Sequence, residues 1–210
     1  MSIVSYLIFP ISQWPQLNGN NMKLLEDRIL KDGIILNNDI LKVDSFLNHQ
    51  IDVTLLNNFA KAVKEDFNQI KVDKILTIET SGIAVAYAVA QAFGNLPLVF
   101  AKKSKSQTVD DNVYKATIKS FTRNIESVVT ISKKYLIKGE NILIVDDFLA
   151  EGNAAMGLID MCEQAGANVI GFVDTIEKEF QGGSKRLKEK GIKVFSGAVI
   201  KEFKDNKPIF

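Results

Sequence analysis

The chain has 210 residues, 46% hydrophobic and 24% charged, with 13 Gly and 4 Pro. Such proportions suit an ordinary globular domain and exclude disordered, collagen-like and disulfide-scaffold classes. With 26 basic against 25 acidic residues the net charge is +1, which offers no global attraction to nucleic acid or to anionic lipid, so neither nucleic acid nor a membrane is expected as a partner.

Ser2 to Ile11 is apolar, but no Lys or Arg precedes Lys23, Ser5 and Pro10 interrupt it, and no small-residue cleavage site follows; it does not read as a signal peptide. Pro10, Pro15 and Asn18-Gly19-Asn20-Asn21 read as turn chemistry. Met22, Leu25 and Ile29 then share one face of a helix closed by Gly33, so residues 1–21 are expected to be an extension to a domain spanning 22–210. From Asp52, a good N-cap, Leu56, Phe59, Val63, Phe67 and Ile70 recur at helical spacing. Lys74 to Glu79 reads as a buried strand, the alanine-rich stretch Ile83 to Phe93 as a helix, and Leu98 to Ala101 as a second strand joined by a right-handed crossover. Lys102 to Asn112, with Val109 its one aliphatic residue, reads as a mobile surface loop. Thr117–Phe121 and Ser127–Ile131 predict an antiparallel hairpin standing off the sheet.

Ile142-Leu143-Ile144-Val145 has the unbroken apolar character of a central strand covered on both faces. A helix from Gly152 to Ala165, a strand Val169–Ile176, a helix around Ser184–Lys190 and a strand Lys193–Ala198 complete the alternation. The expected fold is one doubly wound α/β domain, a mainly parallel sheet flanked by helices. Cys162 and His49 are the sole cysteine and histidine. No intrachain disulfide or cysteine-based structural zinc site can form, no protein-held metal is expected, and a reducing cytoplasm is the simplest compartment. Cys162 is expected in the core, and His49 as a hydrogen-bonded structural residue.

In such sheets ligands bind beyond the carboxyl ends of the strands. There the chain reads Val145-Asp146-Asp147-Phe148-Leu149-Ala150-Glu151-Gly152-Asn153-Ala154. Two adjacent carboxylates leave a buried strand, and a turn of small residues opens a helix. Ala150, Gly152 and Ala154 let an anion approach the backbone amides, and a helix N-terminus presents unpaired N–H groups to it. A phosphate fits that turn, with Asp146 and Asp147 facing the sugar attached to it.

This stretch resembles the phosphoribosyl pyrophosphate signature of type I phosphoribosyltransferases. The resemblance extends, in matching order, to Leu41–Gln50, Thr77–Ala84, Val99–Lys103 and Ile176-Glu177-Lys178 with Phe180-Gln181, and it is closest to the xanthine branch of the family. It implies that fold, with a small hood over the base and an inserted hairpin. It also implies transfer of a ribose 5-phosphate from phosphoribosyl pyrophosphate to xanthine, with magnesium carried on the donor, and a homodimer. By the same resemblance Asp146 and Asp147 would accept from the ribose hydroxyls. Lys102 and Lys103 would neutralise the pyrophosphate, and Ala150, Glu151, Gly152, Asn153 and Ala154 would hold the 5-phosphate. Leu41, Asn48 and Lys178 would contact xanthine. Glu151 departs from the pattern, standing where that branch usually carries Asn; its carboxylate is expected to point outward, since two anions would otherwise share one site. Two alternatives stay open: an enzyme for hypoxanthine and guanine, and a transcription regulator that senses phosphoribosyl pyrophosphate.

Overall fold

The run Ile142–Val145 lies at the centre of the molecule because both faces of its strand are covered. In the computed structural model, which describes residues 20–104, 112–120 and 125–210, it belongs to β7 (Asn141–Leu149). Side chains alternate across a strand. Leu143 and Val145 enter one core with Val85 and Val89, while Ile142 and Ile144 enter a second with Leu158, Ile159 and Cys162.

The other elements, in chain order, are α1 (Asn20–Asp32), β1 (Ile34–Leu36), β2 (Ile40–Lys42), a π-type turn (Asp44–Asn48) and α2 (Val53–Asp66). Then come β3 (Lys74–Ile78), α3 (Gly82–Ala92), β4 (Leu98–Ser104), β5 (Val113–Ser120) and β6 (Ile125–Ser132). After β7 follow α4 (Asn153–Ala165), β8 (Asn168–Lys178), α5 (Gly183–Glu189), β9 (Val194–Ile200), β10 (Glu202–Lys204) and β11 (Lys207–Ile209). Seven strands form one sheet in the order β5-β6-β4-β3-β7-β8-β9. Its five strands from β4 to β9 run parallel, and β6 and β5 add to it antiparallel. Helices α1, α2 and α3 cover one face, and α4 with α5 the other. This is the doubly wound, mainly parallel sheet that the alternation predicted.

The predicted N-cap forms: Asp52 Oδ1 accepts from the Leu55 N–H at 3.0 Å, and its Oδ2 accepts from Arg28 at 2.7 Å, tying α1 to α2. Helix α1 starts at Asn20 and so crosses the boundary expected at Met22; residues 1–19 lie outside the described residues. The hairpin differs from expectation. It does not stand off the sheet, because β6 pairs with β4 from Lys102↔Thr130 to Ser104↔Val128. Lys102 to Ser104, read as loop, continue the strand: β3 accompanies β4 only as far as Ala101, and the hairpin pairs the backbone groups beyond it. The rest of the expected loop, 105–111, and the turn at Arg123-Asn124 lie outside the described residues. Two hairpins of three-residue strands, β1–β2 and β10–β11, escaped the sequence reading. Cys162 is buried as expected, and burial pushes its thiol up to about 12; His49 is exposed at the end of the π-type turn. Among the described residues no helix is long and apolar enough to cross a membrane.

Candidate active site

Asp146 and Asp147 are still within β7, whose last residue is Leu149. Asp146 is 6% exposed, and the Asp147 N–H donates to its Oδ1 at 3.0 Å. Burial, then the neighbouring Asp147 charge, holds the Asp146 carboxyl well above the ordinary carboxylate range. Burial also raises Asp147, against hydrogen bonds that favour its charged form, among them one from Ser81. Two carboxyls so close in a low-dielectric setting resist double ionisation, which primes them for a ligand that brings hydroxyl donors or positive charge. From the next strand, the Thr175 hydroxyl donates to the Asp147 carbonyl and fixes the backbone of the pair.

The turn that follows is shaped by two glycines. Gly152 caps α4 in the left-handed conformation at φ 79, and a side chain there would meet Gly183 Cα at 3.3 Å. The Gly183 N–H donates to the Ala150 carbonyl at 3.0 Å. Arg186 reaches back from α5, donating to the Glu151 carbonyl at 2.6 Å and to Asn153 Oδ1 at 3.0 Å. Asn153 Nδ2 in turn donates to Glu151 Oε2 at 2.9 Å, so the Glu151 carboxylate is engaged on the turn itself.

Between this turn, the carboxyl pair and the segment Glu79–Gly82 opens a cavity of about 510 Å³. Asp146, Asp147, Lys103 and all of Ala150–Ala154 line it, so the structure brings together most of the residues the sequence singled out for the donor. Lys102 is not among the lining; its ammonium lies 5.9 Å from the Phe100 ring. The sequence reading left Glu79, Thr80, Ser81 and Gly82 out of the site. Their signal was legible: a strand, a turn of small residues and a helix, the same sequence of elements as at β7–α4. Glu79 Oε1 accepts from the Lys103 N–H, the Glu79–Thr80 peptide is cis, and a Cβ on Gly82 would come within 2.6 Å of Asp146 Oδ1. A side chain there would displace that carboxylate and the Thr77 hydroxyl.

The three residues expected to contact a base lie outside this cavity. Leu41 is buried on β2, Asn48 is exposed at the end of the π-type turn, and Lys178 ends β8. Lys178 Nζ donates to the Asp39 carbonyl at 2.7 Å, and burial holds its ammonium below the ordinary lysine range. Behind the site, Ser196 Oγ lies 2.9 Å from Asp174 Oδ2 and 2.7 Å from Glu177 Oε2, all three residues being buried. Among the described residues no cluster of three or more His, Cys, Asp or Glu side chains is placed to hold a metal ion.

The chain matches the phosphoribosyl transferase domain over residues 42–204. It is 51% identical over 189 residues to a xanthine phosphoribosyltransferase of Clostridium tetani, covering 90% of this chain and 100% of that one. To the xanthine phosphoribosyltransferase of Clostridioides difficile it is 56% identical over 179 residues, 85% of this chain and 94% of that one. Among solved structures, its fold is similar to adenine phosphoribosyltransferase from Giardia lamblia, with a TM-score of 0.70 and 21% identity over 83% of this chain and 97% of the other. It is likewise similar to adenine phosphoribosyltransferase from Rhodothermus marinus, with a TM-score of 0.69 and 20% identity over 87% and 100%. The match to the domain takes in both banks of the cavity, the Glu79–Gly82 turn and the Asp146–Ala154 segment, and on that ground the chain is an enzyme of the phosphoribosyltransferase family.

Proposed function

We propose that this enzyme transfers the phosphoribosyl group of phosphoribosyl pyrophosphate to xanthine, giving xanthosine 5′-monophosphate and pyrophosphate. The observation that carries the reading is that the carboxyl pair Asp146–Asp147 and the Ala150–Ala154 turn face one cavity together with Lys103. The 5-phosphate sits in the turn, on the backbone N–H groups of the α4 N-terminus. Asp146 and Asp147 accept from the two ribose hydroxyls. As the bond from the anomeric carbon to the pyrophosphate oxygen breaks, positive charge grows on the ribosyl ring, and the fixed carboxylates favour it. The electron pair of that bond leaves with pyrophosphate beside Lys103, the purine nitrogen bonds to the anomeric carbon through its lone pair, and the proton it gives up passes to the departing pyrophosphate. Lys102, turned to the Phe100 ring, has no part in this reading.

Magnesium keeps several waters and binds through one or two carboxylates plus substrate phosphates. Four carboxyls line the cavity, Glu79, Asp146, Asp147 and Glu151, and among the described residues no three are grouped to hold an ion. One or two of them would suffice for an ion delivered on the donor, where it would supply charge neutralisation of the leaving pyrophosphate.

Xanthine as the base follows from relatives of that name at 51–56% identity and from Lys178, a donor suited to an oxo group. Leu41 and Asn48 complete the base end from the hood. A site built to hydrogen-bond a polar group rejects analogues that lack it, so xanthine exceeds hypoxanthine in kcat/KM by at least about tenfold. Steady-state assays over a panel of bases, with phosphoribosyl pyrophosphate and magnesium, check this; equal efficiency would widen the reading to 6-oxopurines in general. We further propose that the residues ahead of Met22 extend a domain 22–210, and that the enzyme is a homodimer. Exposed Tyr87 on α3 and Phe100 on β4 offer apolar surface that a second copy would cover, and light scattering reads the mass directly.

A further inference from the structure

Three segments far apart in sequence meet at the carboxyl end of β8. The β1–β2 turn carries Asn37 and Asn38 at φ 54 and 51, and the β10–β11 turn carries Asp205 and Asn206 at φ 52 and 55. The first is a three-residue connection, Asn37 to Asp39, and the second a two-residue one, and in both Asn and Asp tolerate a left-handed backbone. The turns join tip to tip: the Asn38 N–H donates to Asn206 Oδ1 at 3.2 Å, and the Asn206 N–H donates to Asn38 Oδ1 at 2.6 Å. One residue beyond Asn38, the Asp39 carbonyl accepts from Lys178 Nζ. The same ammonium lies 5.5 Å from the centre of the Phe203 ring on β10, against which Phe180 packs edge-on at 5.6 Å. The C-terminal hairpin therefore flanks the lysine and holds the turn that anchors it.

A lysine ammonium has three donors on a flexible stem and no preferred direction of its own. Giving one donor to the Asp39 carbonyl fixes where the other two can point. That carbonyl is placed by its turn, and the turn is tied to Asn206. Leu41 lies two residues past Asp39, on a β2 of three residues that pairs with β1 alone, and packs into the core. Neither asparagine lines the donor cavity. We infer that Asn38 and Asn206 form a clamp between the hood and the C-terminal hairpin that positions Lys178 and Leu41 on the purine, making both asparagines positioning residues for the base. The inference rests on the proposed reading of Lys178 as a base contact.

Glycine keeps the left-handed turn and deletes the side-chain acceptor, so Asn38→Gly and Asn206→Gly each remove one bond of the pair; Asn206→Asp retains the acceptor. The full-length enzyme is assayed with each substrate varied in turn. Both glycine variants raise the KM for xanthine about threefold to tenfold, the effect of one lost hydrogen bond, with kcat and the KM for phosphoribosyl pyrophosphate within about twofold of the parent. Asn206→Asp behaves as the parent. An unchanged xanthine KM, an equal rise in both Michaelis constants, or glycine variants that melt well below the parent would each overturn the clamp. A parent chain that makes no xanthosine monophosphate overturns the functional reading instead, and the clamp is then judged by the same split on the purine it does convert.

Discussion

The Asp146–Asp147 pair is adjacent in sequence yet unequal in setting: Asp146 is buried against Gly82, while Asp147 is partly open and takes a hydrogen bond from Ser81. The more accessible carboxylate is the one better able to follow charge that develops during the reaction. Asp147→Asn keeps the shape and removes the charge. It lowers kcat and kcat/KM together by about 10²-fold or more, the signature and size of a preorganised electrostatic group that acts in the transition state. A folded variant with undiminished kcat would remove Asp147 from the proposed chemistry. Glu151 is a different kind of acid. Its carboxylate is held by Asn153, and the Arg186 guanidinium sits on its carbonyl, so the departure from the family pattern is absorbed by partners within the turn.

At the level of elements, the donor turn is a joint between α4 and α5. A Cβ on Gly183 would strike the Ala150 carbonyl oxygen and stand 2.9 Å from Leu149 Cδ1 and 3.0 Å from the Gly152 nitrogen. Two of these obstacles are backbone of the turn itself and cannot swing aside. Gly183→Ala therefore displaces the turn at a cost of ~1–3 kcal/mol. Part of that appears as a lower Tm and part as a rise in the KM for phosphoribosyl pyrophosphate of about tenfold, with the xanthine KM little changed. A crystal-clear separation of the two ends of the site is what these kinetics measure; parallel changes in both constants would contradict it. The elements themselves were legible wherever burial and period agreed: Asp52 announces α2, the glycines at 152 and 166 bracket α4, and Ile142–Val145 announces the central strand. The reading stopped that strand at Val145 because acidic residues do not look like strand interior, although Asp146 pairs with Asp174 and the ladder runs on through Phe148 and Leu149. The short hairpins β1–β2 and β10–β11 carry too few residues for a period to register. The contact of Lys178 with Asp39 was out of reach for another reason: its acceptor is a main-chain carbonyl, which every residue has.

For the molecule as a whole, the buried cluster behind the site sets a pH response. Ser196 has one hydroxyl proton and lies within hydrogen-bonding distance of two carboxyls. It can donate to one of them; the other contact is a hydrogen bond only when that carboxyl keeps its own proton and donates to Oγ. Burial, then the Glu177 charge, holds Asp174 well above its ordinary value of 3.8. A carboxyl raised in the folded state stabilises the fold fully below its unfolded pKa, and the contribution is lost as pH rises through the folded pKa. Asp174→Asn removes this liability, so its Tm gains on the parent steadily as pH is raised from about 4. Melting curves of the two proteins across pH test this, and a constant difference would show that Asp174 does not titrate in the fold.

The order of strands in the sheet has a last consequence. β3 and β7 are neighbours, and every pair in their ladder is 68 residues apart in sequence. One bank of the cavity follows β3 and the other follows β7. Pairings across such chain distances pay loop-closure entropy before any contact repays it, and they come late in folding. No stretch of the chain holds the donor site by itself, and local helices form without it. In a refolding population, the molecules that turn over substrate are those in which the distant halves have already met, so catalysis serves as a clock for the completion of the sheet.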